Sequence, residues 1–234
     1  MRIKLFEDKD FYRKLWKLTL PIALQSLLLS LVAVADSAML GRISQDQMGA
    51  VSLATQVQFI QNMIISCATG TIMILGAQYF GKKDTKRIKD VFGLGIMYVA
   101  AISILTTAAC ILIPEKLMTL FTNDPNLNAI GTEYLRIAGW SYILTGFSQC
   151  LLSMMKVTNH ARTSAVVSSI TVVLNIVFNG IFIFGLFGID PMNAKGAALA
   201  TLISRIVELL LAFILSLRKT YILPSPKDLI IHEG

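Results

Sequence analysis

Six stretches dominated by apolar side chains constrain this chain more than any other feature: 18–41, 48–77, 91–113, 131–155, 163–186 and 196–217. An α-helix rises 1.5 Å per residue, so about 20 apolar residues cross the roughly 30 Å hydrocarbon core of a bilayer. Lipid offers no partner to backbone N–H and C=O groups, and a helix satisfies them within one segment. The expectation is an all-α integral membrane protein, a six-helix transmembrane bundle over residues 18–217. Composition agrees, with 55% hydrophobic and 15% charged residues, where soluble domains carry roughly 25% charged. The second stretch is overlong and polar in its first third, where Gln56, Gln58, Gln61 and Asn62 fall.

The positive charges order these spans. Six Lys or Arg precede the first span, five lie between the second and third, two between the fourth and fifth, and three follow the sixth. These sixteen fall on one side of the membrane, against Arg42, Lys116 and Lys195 on the other, while Arg136 and Arg205 fall inside spans. Cytoplasmic loops carry the excess of Lys and Arg. Both termini are therefore expected in the cytoplasm of a multi-pass protein of the cell membrane, with 1–17 as an N-terminal segment and 218–234 as a tail or the start of a linker. An odd number of spans would put successive basic loops on opposite sides and destroy the bias. The net charge of +7 is thus explained by anionic lipid rather than nucleic acid, whose binding surfaces interleave basic residues with aromatic or base-reading groups.

Cys67, Cys110 and Cys150 all lie in apolar stretches without a CxxC pair, and are read as reduced packing residues. A basic segment, an apolar run and Ala33-Val34-Ala35 imitate a secretory cleavage site. Pro21 interrupts that run and five more spans follow, so the segment is expected to remain as the first helix. The loop 115–128 contains Asn123-Asp124-Pro125 and reads as a short structured turn.

Polar residues at membrane depth need a reason. A charge there costs at least about 2.5 kcal/mol on insertion scales, so Asp36 in span 1 is a functional candidate, or else ends its helix at the headgroups near Gly41. Asn175 and Asn179 in span 5, four residues apart, share one helix face. Counted by helical rise, Asn179 and Thr201 of span 6 reach nearly the depth of Asp36. Carboxylate, amide and hydroxyl oxygens suit a proton or an alkali cation, whereas interhelical hydrogen bonding alone is the other reading of the asparagines. Arg205 and Glu208, spaced i, i+3, are expected to form a structural ion pair, with a coupling role as the alternative, and Glu133 with Arg136 repeats the spacing. Gln56, Gln61, Asn62 and Tyr142 are candidates for a substrate cavity, alongside the apolar Trp140, Phe147, Met154 and Met155. Gly70, Gly76, Gly139 and Gly146 permit close helix approach, and Pro21 is a candidate hinge.

In order along the chain, Leu20-Pro21-Ile22 with Val34-Ala35-Asp36-Ser37-Ala38-Met39-Leu40-Gly41 resembles the first helix of the multidrug and toxic compound extrusion transporters. Gly76-Ala77-Gln78-Tyr79-Phe80-Gly81, Leu174-Asn175-Ile176-Val177-Phe178-Asn179 and Gly196-Ala197-Ala198-Leu199-Ala200-Thr201 resemble later segments of the same family. The resemblance covers nearly the whole chain. It implies an antiporter in which H⁺ or Na⁺ drives export of cationic or amphipathic compounds by alternating access, with Asp36 as the coupling acid and Asn175, Asn179 and Thr201 beside it. Some relatives carry aspartate where this chain has Asn179. Family members have two six-helix lobes, and this sequence resembles the N-terminal lobe, so a second lobe is implied as partner, either a C-terminal half or a second copy.

Two other readings stand beside it. A lipid-linked saccharide flippase half would need a wide cationic cavity, and the spans supply few arginines. A structural membrane protein without transport would be indifferent to Asp36→Asn. An enzyme is not expected: His160 and His232 lie outside the spans, no HExxH or GxSxG occurs, and no metal or organic cofactor is implied.

Overall fold

The computed structural model describes residues 9–188 and 190–218. Seven α-helices occur among them: α1 Lys9–Gly41, α2 Gln45–Gly81, α3 Thr85–Leu112, α4 Pro114–Thr119, α5 Pro125–Val157, α6 Ala161–Phe184 and α7 Asn193–Arg218. The six long helices coincide with the six apolar stretches, each extended beyond the apolar window. α1 begins at Lys9, so half of the segment expected before span 1 is helical, and α4 supplies a helical turn where a loop was expected.

Local chemistry fixes where these helices start and stop. Ser44 caps α2 by accepting from the Gln47 N–H at 3.1 Å, and Asp46 adds a negative charge in the first turn. Asp84 caps α3 in the same way, accepting from the Arg87 N–H at 3.2 Å. Asp124 precedes Pro125 at the first position of α5 and accepts from the Asn126 N–H at 2.8 Å. Gly185, with φ 73°, closes α6 in the left-handed conformation that a glycine adopts without strain.

Four helices, α2, α3, α6 and Asn193–Leu217 of α7, are long and apolar enough to cross a membrane by composition alone among the described residues. α5 is less apolar because it is the central helix, packing on α2, α3, α4, α6 and α7. Facing protein rather than lipid, it carries buried Thr132, Ser141, Thr145, Ser148 and Ser153. On the outside, Leu20, Leu24, Leu27, Leu31 and Val34 of α1 and Leu94, Ile104 and Leu105 of α3 are exposed, a surface suited to lipid chains.

Two packed clusters fill the interior. One gathers Ile65, Phe92, Val99, Leu152, Met155 and Val167, and the other Leu40, Val51, Met118, Tyr142, Ile183 and Ala198. Glycines on α5 let its neighbours in: a Cβ on Gly139 would lie 2.7 Å from the Cys110 Cβ, and one on Gly146 would collide with Ser103 and Val99. A Cβ on Gly76 would lie 3.3 Å from Val157, a close approach as expected, but Gly70 faces open space, contrary to the close approach expected of it. Cys110 and Cys150 are buried as expected, whereas Cys67 is exposed because its face of α2 is not covered within this chain. The expectation for Pro21 rests on a side chain outside the described residues, as does the tail beyond Arg218.

Candidate functional site

Near the α1 C-terminus the bundle opens into a cavity of about 460 Å³ between α1, α2, α5, α6 and α7. Asp36 of α1 lines it, and its Oδ1 accepts a hydrogen bond from Nδ2 of Asn179 on α6. The same Nδ2 donates to Oδ1 of Asn175 one turn away, at 3.2 Å. Asn175 in turn donates to the Thr201 hydroxyl on α7, at 3.5 Å. A string of polar groups therefore runs from Asp36 across α6 to α7. It exists because the i, i+4 spacing puts both amides on the α6 face toward α1 and α7.

Burial makes this string costly unless it is satisfied. Asn179 is fully buried, Asn175 is 6% exposed and Asp36 is half-buried. Asn179 Oδ1 has no hydrogen-bond partner, an orphan acceptor in the tightest part of the site. This oxygen, the Asp36 carboxylate, the Asn175 carbonyl and the Thr201 hydroxyl are of the hard-donor kind that suits an alkali cation. No cluster of three or more His, Cys, Asp or Glu able to hold a metal occurs among the described residues.

One turn below, Arg205 of α7 also lines the cavity, and its Nη1 donates to Oε2 of buried Glu208 at 2.6 Å. The i, i+3 ion pair expected from sequence is present. Ser148 of α5 donates to the same Oε2 at 3.1 Å. The pairing expected between Glu133 and Arg136 is replaced by others: Glu133 meets Lys195 at 3.1 Å and Arg136 meets Glu115 at 3.5 Å. Both partners come from segments folded against the start of α5, which spacing along that helix does not show.

The residues of α2 divide by face. Asn62 and Gln58 line the cavity, in a polar stripe with Ser52, Thr55, Ser66 and Thr69 at intervals of three or four residues. Gln56 points to the exposed outer face, and Gln61 is fully buried on the opposite side, donating to Ser103 Oγ at 3.3 Å and the Tyr142 carbonyl at 3.1 Å. Tyr142 is itself fully buried and does not line the cavity. Of the four residues expected to form a substrate cavity, the structure brings only Asn62 to the one that Asp36 lines.

Sequence reasoning missed Tyr134, Thr145 and Gln149 of α5, which line the cavity opposite Asp36. The signal was there: offsets of eleven and fifteen residues are close to whole turns, so the three share a face. It was masked by Glu133 and Arg136 beside Tyr134.

Comparison with known proteins places the chain. The MatE family model matches residues 21–181, well over half of its length. The chain is 28% identical over 220 residues to the probable multidrug resistance protein NorM of Thermotoga maritima, covering 88% of this chain and 46% of that one. It spans about half the length of the curated relatives it matches. Its fold resembles a MOP superfamily transporter from Pyrococcus furiosus with a TM-score of 0.79 at 20% identity, over 92% of this chain and 47% of the other. A Vibrio cholerae MATE transporter in its bent form gives a TM-score of 0.78 at 20% identity, over 88% and 46%. With six long helices in the MATE arrangement and a family model covering all of α2 to α5, this multi-pass membrane chain belongs to the MatE family of transporters.

Proposed function

We propose that this chain forms one six-helix lobe of a cation-coupled efflux antiporter that exports small amphipathic or cationic compounds by alternating access, with H⁺ or Na⁺ as the coupling ion. The observation that carries this reading is the string Asp36–Asn179–Asn175–Thr201 at the edge of a cavity, with the Asn179 carbonyl unpartnered. A cation arriving at Asp36 neutralises the carboxylate and draws amide oxygens toward it. Its departure leaves a charge that favours a different packing of α1 on α6, the two helices that Asp36 and Asn179 join. Pro21, in the first half of α1, is the hinge about which that helix bends.

A second lobe, either a C-terminal half or a second copy, completes the cavity. Asn62 and Gln58 present amides to the substrate there. Both termini face the cytoplasm, as the sixteen basic residues on that side favour. Relatives named as multidrug resistance proteins support the substrate class.

The test is retention of a fluorescent cation such as ethidium in cells that express this chain with a compatible second lobe. The expected result is lowered retention, abolished by Asp36→Asn. Efflux unchanged in Asp36→Asn overturns the assigned role.

A further inference from the structure

Two carboxylates and one guanidinium meet where α7 passes the cavity. Arg205 lines the same space as Asp36. A guanidinium has five N–H donors in a rigid fork, and among the described residues the acceptor it reaches is Oε2 of Glu208. Glu208 is completely buried, further fixed by Ser148, and its Oε1 has no partner. A helical pair that served stability alone would need no cavity-facing member. Here the cation of the pair looks into the cavity and the anion is hidden behind it, side-chain exposures being 18% and 0%.

From this placement we infer that Glu208 is a tether: it holds the Arg205 guanidinium back from Asp36, and thereby sets how tightly Asp36 takes its coupling cation. The inference rests on the proposed role of Asp36. With the tether intact, Arg205 is neutralised by its own partner and Asp36 is left to accept a cation. Without it, Asp36 is the only carboxylate lining the cavity among the described residues, and the freed guanidinium becomes its internal counter-ion, occupying the place of H⁺ or Na⁺. A unit positive charge brought to within about 4–6 Å of a carboxylate changes its affinity for a cation by about tenfold or more. The other charged groups facing this network are Asp36 from α1 and Lys156 from α5, with the neutral Tyr134 of α5 lining the same cavity. Glu208 and Arg205 are positioning residues in this account, since neither binds the coupling ion.

The experiment uses the two-lobe protein in proteoliposomes, with ethidium efflux measured against coupling-cation concentration. Glu208→Gln keeps the shape and removes the charge. The concentration for half-maximal efflux is expected to rise about tenfold or more with the maximal rate little changed. Arg205→Gln/Glu208→Gln removes tether and tethered group together and is expected to restore the native half-maximum. Because the double variant removes the guanidinium together with the carboxylate that holds it, it reports even if Glu208→Gln alone does not fold. A native half-maximum in Glu208→Gln, or a double variant that loses cation dependence, overturns the tether; the latter would make Glu208 a coupling acid in its own right. Asp36→Asn run in parallel separates the two claims: cation-dependent efflux that survives it overturns the Asp36 assignment and the tether with it, whereas its loss together with an unaltered Glu208→Gln overturns the tether alone.

Discussion

Gln61 and Asn62 are adjacent on α2 and chemically alike, yet the structure gives them opposite work. Gln61 joins α2 to α3 and α5 by two hydrogen bonds, at 3.3 and 3.1 Å, and its Oε1 is buried without a partner. Interhelical hydrogen bonds in membranes average about 0.6 kcal/mol, so Gln61→Leu loses about 1.2 kcal/mol. Removing the unpartnered oxygen returns about 1–3 kcal/mol of desolvation. The balance runs from about zero to a gain of about 2 kcal/mol, so the melting temperature of purified protein in detergent should not fall and should rise by no more than about 7 °C. Gln61→Glu instead places a carboxyl group at a fully buried point, at a cost of about 2.5–3.5 kcal/mol. For a chain of this size that lowers the melting temperature by about 5–14 °C. Asn62→Leu removes only a cavity amide, so it should leave melting unchanged and alter which compounds are exported. A Gln61→Leu variant as unstable as Gln61→Glu, or one that changes substrate preference while Asn62→Leu does not, refutes this division of roles.

Three further outcomes follow from the packing. Thr201→Val removes the hydroxyl that accepts from Asn175 and should weaken the cation dependence of efflux several-fold, about 0.6–1.7 kcal/mol, with no change in expression. Gly146→Leu drives a side chain into Ser103 and Val99 and should destabilise the bundle by about 1–3 kcal/mol, read as a lowered melting temperature. Asp124→Ala removes the cap of α5, which accepts from two N–H groups, and should cost about 0.5–2 kcal/mol in the same assay.

The long helices were legible because lipid enforces them. Each apolar stretch must satisfy its backbone alone, so length and composition locate it, and Asn123-Asp124-Pro125 marks the turn before α5. Their extensions into water were not, since α1 from Lys9 and the polar first turns of α2 and α5 follow helix propensity and packing rather than apolarity. The proximity of Asp36, Asn179, Asn175 and Thr201 was readable by counting rise along antiparallel helices, because depth in a bilayer is a shared axis. Rotation about that axis is not shared in the same way. Gln61 and Asn62 lie at similar depth, with Gln56 about 9 Å away along α2, and only tertiary packing decides that Gln56 faces out, Gln61 is buried and Asn62 faces the cavity. The same holds for Glu133 and Arg136, whose true partners, Lys195 and Glu115, approach from α7 and α4.

Counterflow reads out the proposed exchange of a coupling cation against substrate at Asp36. In proteoliposomes holding the chain with its second lobe, addition of ethidium on one side should drive H⁺ or Na⁺ movement the other way, followed with a pH-sensitive dye or a sodium electrode. The account predicts substrate-driven cation flux in the native protein and none above background in Asp36→Asn. Equal flux in the two proteins would contradict it.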